Sequence, residues 1–243
     1  MTADQPDSDR RGGTTLSRRA FAAGTAAVGV AGIAGAQEGQ RMQDAISLAA
    51  AIRAGSMTVQ GHVRKTLRRA AALSGINAFV TLDEEGVLAR AVALDEAIEA
   101  GQSIGPLAGV LFAVKDNIAV RGLPMTVCTP ALRAYRPFAH ASVWARLEAA
   151  GAICLGKAGM HELAFGGTSA SPAFGVIRNP WSTGVAMTPG GSSGGTGAAV
   201  AAGLGDAGLG TATAGSIRMP ASLCGLVGFR PSVGRLPMVG IAP

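Results

Sequence analysis

The sequence predicts an α/β fold, and three observations carry that expectation. Two short, continuous apolar runs, VLFAV at 110–114 and AICL at 152–155, suit strands buried on both faces. Stretches with helical periodicity and helix punctuation alternate with them. A chain of 243 residues that is 48% hydrophobic and 15% charged can also bury a sizeable core without disulfide or metal staples. The same balance excludes disorder over most of the length. Gly is 36 of the residues and aromatics only 4%. The glycines lack a G-X-Y period, so the chain is not collagen-like. They imply a backbone that bends sharply and often.

The elements follow in order. Residues 44–54 read as a helix with Asp44 as N-cap and Gly55 as stop. Residues 58–74 read as a second, basic amphipathic helix, and NAFVTL at 77–82 as a short strand. A third helix spans 83–100, opened by Asp83, Glu84 and Glu85 at its positive dipole end and closed by Gly101. A turn at 105–109 leads into VLFAV. Ser142 to Ala150 is a helix that feeds the AICL strand, and Lys157 is expected in the turn after it. After Glu162 the character changes. The remaining segment holds one acid, Asp206, no Lys or His, and half of the glycines. It reads as a loop-rich site made of backbone and hydroxyls. No internal repeat is present.

The net charge of +6 suggests nucleic acid at first sight. The basic residues are mostly scattered, however. The one dense group, Arg64, Lys65, Arg68 and Arg69, falls at helical spacing and reads as a solvated helix face. Stacking aromatics are too few for a single-strand binder, so no nucleic-acid partner is expected. Cys128, Cys154 and Cys224 are odd in number and widely spaced, which gives neither a disulfide framework nor a zinc pattern. They read as small buried hydrophobes. His62, His140 and His161 are not at HxxxH spacing, so no metal is expected, and no cofactor motif stands out.

The first 36 residues read as an address. A polar stretch leads to Ser17-Arg18-Arg19-Ala20-Phe21, then a weakly apolar run ending in Ala34-Gly35-Ala36. Charged region, apolar region and A-x-A site come in the order of a secretory signal. The paired arginines resemble a twin-arginine export signal. The mature chain is then expected to begin near Gln37, with the export machinery as a partner and a periplasmic or secreted destination.

Three readings compete for the glycine-rich chemistry. Gly151 to Lys157 has phosphate-loop spacing, but Ala158 stands where Ser or Thr would meet magnesium, and the intervening residues are an apolar strand. Gly190-Gly191-Ser192-Ser193-Gly194 fits GxSxG, yet no His lies downstream of the serine. The third reading uses no histidine: burial can depress a lysine pKa until the neutral amine activates a serine. Lys115, at the end of VLFAV, is the buried-looking candidate. Chemistry alone leaves open a simple salt bridge between Lys115 and Asp116.

Four stretches resemble the amidase signature family: GPLAGVLFAVKDNIAVRGLPMT (105–126), AGAICLGKAGMHELAFGGTSASPAFGVIRNPW (150–181), TPGGSSGGTGAAVAAG (188–203) and GSIRMPASLCGLVGFRPSVGRLP (215–237). The resemblance runs from about residue 44 to the end. It implies a mixed sheet flanked by helices over 37–243, and amide hydrolysis through a lysine, a cis serine and a nucleophilic serine. The matching positions are Lys115, Ser192 and Ser216. Backbone N–H groups of the turn Thr213-Ala214-Gly215-Ser216 would hold the oxyanion, with Ser193 and Thr211 as supporting hydroxyls. The implied partner is a small-molecule amide, and a homodimer is compatible with the resemblance.

The sequence departs from the family pattern in two ways. GTATAGS stands where the family reads GTDTGGS, so Ala212 replaces an acid and Ala214 a glycine. Arg218 is therefore expected to lack its partner, which for a buried pair costs about 3–5 kcal/mol. Ala214 would be strained if its turn needed a positive φ. Members of the family are also about twice as long, so the chain is expected to be an N-terminal portion. Two alternatives follow: an inactive amidase-like fragment or binding module, and the amidotransferase subunit that feeds ammonia to a tRNA-bound substrate.

Overall fold

A computed structural model describes residues 44 to 243. The expected leader and its boundary at residue 36 lie outside the described residues. Helix α1 (Ala45–Arg53) begins where Asp44 accepts hydrogen bonds from the amides of Ile46 and Ser47, at 3.0 and 2.9 Å. Its buried residues Leu48, Ala49 and Ile52 form one face. Helix α2 (Val59–Ala72) is capped by Thr58, whose hydroxyl accepts from the Gly61 amide. A second cap comes from a distant element. The carboxylate of Asp95, on α3 (Glu84–Glu99), accepts from the amides of Val59 and Gln60 at 2.7 and 3.0 Å. Orphan amides of one helix thus hold its neighbour in place. Arg64, Lys65 and Arg68 lie on α2 as a solvated basic face, while Arg69 donates to the carbonyl of Ala202.

The main sheet is mixed. Strand β1 (Phe79–Leu82) runs antiparallel to β3 (Ile153–Ala158). Strand β2 (Leu111–Lys115) runs parallel to both β3 and β6 (Ala207–Leu209). The order across the sheet is β1-β3-β2-β6. Every residue of β2 and β3 is buried, which explains their continuous apolar runs. Alternation divides β2 between two faces. Phe112 and Val114 pack with Trp144 of α4 (Ser142–Ala149). Leu111 packs with α1 to α3, and Ala113 with α5 (Gly194–Ala201). Lys115 continues the Leu111 and Ala113 face.

Two expectations need correction here. Lys157 is not in a turn: β3 runs on through it to Ala158, past a register shift that leaves Leu155 as the extra residue. The glycine-rich segment is also more regular than its composition suggests. It contains α5, β6 and α6 (Arg218–Leu223), as well as a two-residue ribbon of β4 (Ala170–Ser171) and β5 (Gly175–Val176). Glycine disfavours helices, so α5 is invisible to propensity. Its glycines serve close packing instead: a Cβ on Gly195 would collide with the Gly159 carbonyl oxygen. Residues 241 and 242 return beside β2. Ile241 bridges Ile118, and the Ala242 amide donates to the Asn117 carbonyl at 2.9 Å. Among the described residues no helix is long and apolar enough to cross a membrane.

Candidate active site

The end of β2 delivers Lys115 into the interior with 0% exposure. Its Nζ donates to Ser192 Oγ at 2.7 Å, to Thr211 Oγ1 at 2.8 Å and to the Thr211 carbonyl at 3.3 Å. Among the described residues no carboxylate pairs with it. Burial pushes its pKa down to about 7, with Cys128 a smaller opposing influence. The salt-bridge alternative for Lys115 therefore does not hold. Asp116 points to the other face of the sheet and pairs with Lys157, Nζ to Oδ1 at 3.3 Å, both side chains fully buried. The Asp116 carboxylate also accepts from the Thr126 hydroxyl and amide and from the Cys128 amide. The carboxylate that would have kept Lys115 charged is thus committed elsewhere.

Ser192 follows a cis Gly191–Ser192 peptide and lies 1% exposed, just before α5. Its carbonyl accepts from the His161 amide at 3.0 Å and the Ser169 hydroxyl at 3.4 Å. The Ser169 hydroxyl in turn accepts from the Gly194 amide at 2.9 Å. Three chain segments therefore fix the serine that faces Lys115. The loop itself must be thin. A Cβ on Gly191 would come within 2.9 Å of the Gly166 carbonyl oxygen and the Gly167 carbonyl carbon. Gly190 has φ +82°, a conformation that only glycine adopts readily.

Ser193 joins this loop to the turn that carries Ser216. Its amide donates to the Ser216 carbonyl at 3.2 Å, and its hydroxyl to the Thr211 carbonyl at 3.1 Å. With both groups committed and the residue 2% exposed, Ser193 holds the site together and is not placed to touch substrate. Thr211 is held in turn by Asn117, whose amide donates to Thr211 Oγ1 at 3.1 Å and to the Ala242 carbonyl at 2.7 Å. Asn117, Ser169 and the Asp116–Lys157 pair are parts of the site that sequence reasoning missed. Asn117 and Asp116 sit beside Lys115 in sequence, which was the available signal.

The turn Thr213-Ala214-Gly215-Ser216 is half-buried to exposed. Among the described residues its four backbone N–H groups meet no acceptor, and no hydrogen bond ends at the Ser216 hydroxyl. Open, co-located amides are what an oxyanion site needs. The structure brings Lys115, Ser192 and Thr211 together directly, and Ser216 next to them through the Ser193 link. Two expected consequences of GTATAGS do not arise. Ala214 is not among the residues with positive φ, so its Cβ adds no strain of that kind. Arg218 is exposed, and its Nη2 donates to the Ala214 carbonyl at 2.9 Å, so no buried charge is left unpaired. The three cysteines are buried thiols. Burial raises Cys128 and Cys154 to about 12 and Cys224 to about 11, which leaves them inert at neutral pH. No group of three His, Cys, Asp or Glu side chains suited to a metal is found among the described residues.

The mixed sheet, the helix behind Ser192 and the buried Lys–Ser contact place the chain among α/β proteins. The family model described as Amidase matches residues 62–243, and the chain belongs to this amidase signature family. Among curated relatives, a glutamyl-tRNA(Gln) amidotransferase subunit from Synechococcus sp. (strain RCC307) is 43% identical over 192 residues, covering 79% of this chain and 39% of its own. Among solved structures, an amidase is 40% identical with a TM-score of 0.77, over 82% of this chain and 45% of its own. The native peptide amidase from Stenotrophomonas maltophilia is 35% identical with a TM-score of 0.78, over 82% and 42% respectively. The chain thus spans about two fifths of the length of the relatives it matches.

Proposed function

We propose that this chain carries the catalytic centre of an amidase that hydrolyses a carboxylic amide through Lys115, Ser192 and Ser216. The observation that supports this most is a buried lysine with hydroxyl partners and no carboxylate, its Nζ 2.7 Å from Ser192 Oγ. When neutral, Lys115 has a lone pair that accepts the Ser192 proton as Ser192 accepts the proton of Ser216. Ser216 Oγ then attacks the amide carbonyl carbon, and the oxyanion is held by the open N–H groups of residues 213–216. The tetrahedral intermediate collapses with cleavage of the C–N bond. The proton returns through Ser192 to the departing amine, leaving an acyl-enzyme on Ser216. Water, deprotonated by the same relay, releases the acid. Labelling with a fluorophosphonate probe tests this: labelling abolished in Ser216→Ala is expected. A folded protein that takes no label would favour the inactive-module reading.

A second reading, an amidotransferase subunit that releases ammonia for a tRNA-bound substrate, is favoured by the 43% identity to a protein of that name. Hydrolysis of glutamine to the exclusion of other amides would select it. For the leader we propose twin-arginine export, on the pattern Ser17-Arg18-Arg19-Ala20-Phe21 and Ala34-Gly35-Ala36. A mature N-terminus near Gln37, read by mass spectrometry of exported protein, is the expected result. Recovery of the uncleaved chain inside the cell would refute it.

A further inference from the structure

We propose that Asn117 is a positioning residue that sets the direction of the proton relay: it keeps the Thr211 hydroxyl an acceptor, so that the lone pair of neutral Lys115 is left for Ser192. The proposal rests on the amidase reading above and deepens it. A lysine that has lost its third proton keeps two hydrogens and one lone pair. Lys115 Nζ has three oxygens within reach: Ser192 Oγ at 2.7 Å, Thr211 Oγ1 at 2.8 Å and the Thr211 carbonyl at 3.3 Å. The carbonyl only accepts. Each hydroxyl can donate or accept, so the lysine alone does not decide which of them meets its lone pair. A lone pair turned on Thr211 is spent on a hydroxyl outside the relay.

The choice is made at Asn117, which is buried, and it starts from a carbonyl. The Ala242 carbonyl lies 2.7 Å from the Asn117 side-chain nitrogen and has no hydrogen to offer, so it fixes which end of the amide faces it. The Ala242 amide donates back to the Asn117 carbonyl at 2.9 Å, and Ile241 bridges Ile118, so the two segments stay in register. With one side-chain N–H on Ala242, the other donates to Thr211 Oγ1 at 3.1 Å. The Thr211 hydroxyl hydrogen has its own outlet in Asn117 Oδ1, at 3.4 Å. What Thr211 Oγ1 then offers Lys115 is a lone pair. Both hydrogens of the neutral amine go to Thr211, one to its hydroxyl and one to its carbonyl, and the lone pair meets Ser192 Oγ. Other charged or titratable groups around Lys115 are few. Cys128 acts on it from one side, and β3 brings Lys157, which is paired with Asp116 on the other face of the sheet. Helix α5, strand β6 and the turn at 210–216 carry none.

The test is the rate at which a fluorophosphonate labels Ser216 against pH, in wild type, Asn117→Ala, Thr211→Val and the double variant. Without Asn117 the Thr211 hydroxyl can turn its hydrogen onto the lone pair of Lys115. Asn117→Ala is expected to lower the plateau rate about tenfold or more. It is also expected to lower the Lys115 pKa by about half a pH unit or more, because the neutral amine gains a donor. That pKa is read by NMR of carbon-13-labelled lysine. The chain has only Lys65, Lys115 and Lys157, and the Lys115 signal is assigned by its loss in Lys115→Met. In the Thr211→Val background no hydroxyl is left to misdirect the lone pair, so adding Asn117→Ala is expected to change the rate by less than about twofold. An Asn117 that only anchors Ala242 gives the same loss in both backgrounds. That result overturns the proposal, as does a Lys115 pKa unchanged or raised in Asn117→Ala. Asn117→Leu, of similar volume, takes the place of the alanine variant if that one does not fold. A wild type that takes no label refutes the amidase reading, and the lysine titration then decides alone. A pKa lowered by Asn117→Ala only while Thr211 is present sustains the hydrogen-bond order, and any other pattern refutes it.

Discussion

Two buried lysines on opposite faces of adjacent strands meet different partners, and that difference sets their chemistry. Lys157 faces the Asp116 carboxylate at 3.3 Å, whereas Lys115 faces only hydroxyls and a carbonyl. Lys115→Ala is expected to lower kcat/KM by about 10²–10⁴, the usual contribution of a general base. Steady-state hydrolysis of a simple amide checks this, and an unchanged rate would remove Lys115 from the mechanism. Ser193→Ala deletes the hydroxyl bond to the Thr211 carbonyl, so the melting midpoint should drop by the equivalent of about 1 kcal/mol. Loss of rate should accompany it, because one of the bonds that hold Thr211 against Lys115 is gone while that from Asn117 remains. Sequence reasoning could name Lys115 from its apolar strand, and Ser192, Ser216 and Thr211 through the resemblance of contiguous motifs to the family. It could not choose between Asp116 and Ser192 as the partner of Lys115. That choice depends on strand alternation, which turns Asp116 away and toward Lys157.

At the scale of elements, α5 fits the sheet only because its packed face is glycine. Gly195→Ala drives a methyl into the Gly159 carbonyl, a clash with backbone that cannot move aside. A destabilisation of about 1–3 kcal/mol is expected from chemical denaturation, despite the better helix propensity of alanine. A more stable variant would contradict the packing described. The pair across β2 and β3 makes a further prediction. Lys157→Met leaves the Asp116 carboxylate buried without its cation, with an expected cost of about 3–5 kcal/mol. Helices α1 to α4 and strands β1 to β3 were legible in the sequence because caps, acidic openings and apolar runs are local signals. Asp44 does cap α1, for example. Helix α5 and strand β6 were not legible, since their composition argues for a loop and only tertiary contact overrides it. The extension of β3 over Lys157 was hidden for the same reason: a charged residue in a buried strand makes sense only once Asp116 is seen beside it.

For the whole molecule, the buried ionisable groups shape stability against pH. The Lys115 pKa is lowered from 10.5 to about 7 on folding. Between those values the unfolded chain holds a proton that the folded one has given up, so this group makes stability rise with pH, by about 1.4 kcal/mol per unit. Below about 7 both states are protonated and its contribution is flat at its lowest. The cysteine thiols, raised by burial from 9.0, act in the opposite sense above pH 9. Comparing wild type with Lys115→Met between about pH 7 and 9 isolates the lysine: the variant should lose the rise. In the proposed mechanism the same titration governs chemistry, because only neutral Lys115 would start the relay. The most direct test of the account is therefore the rate at which a fluorophosphonate labels Ser216 as a function of pH. The account predicts a rate that climbs about tenfold per unit up to an apparent pKa near 7, then levels, and that is lost in Lys115→Ala. A labelling rate independent of pH, or one unchanged in Lys115→Ala, would contradict it.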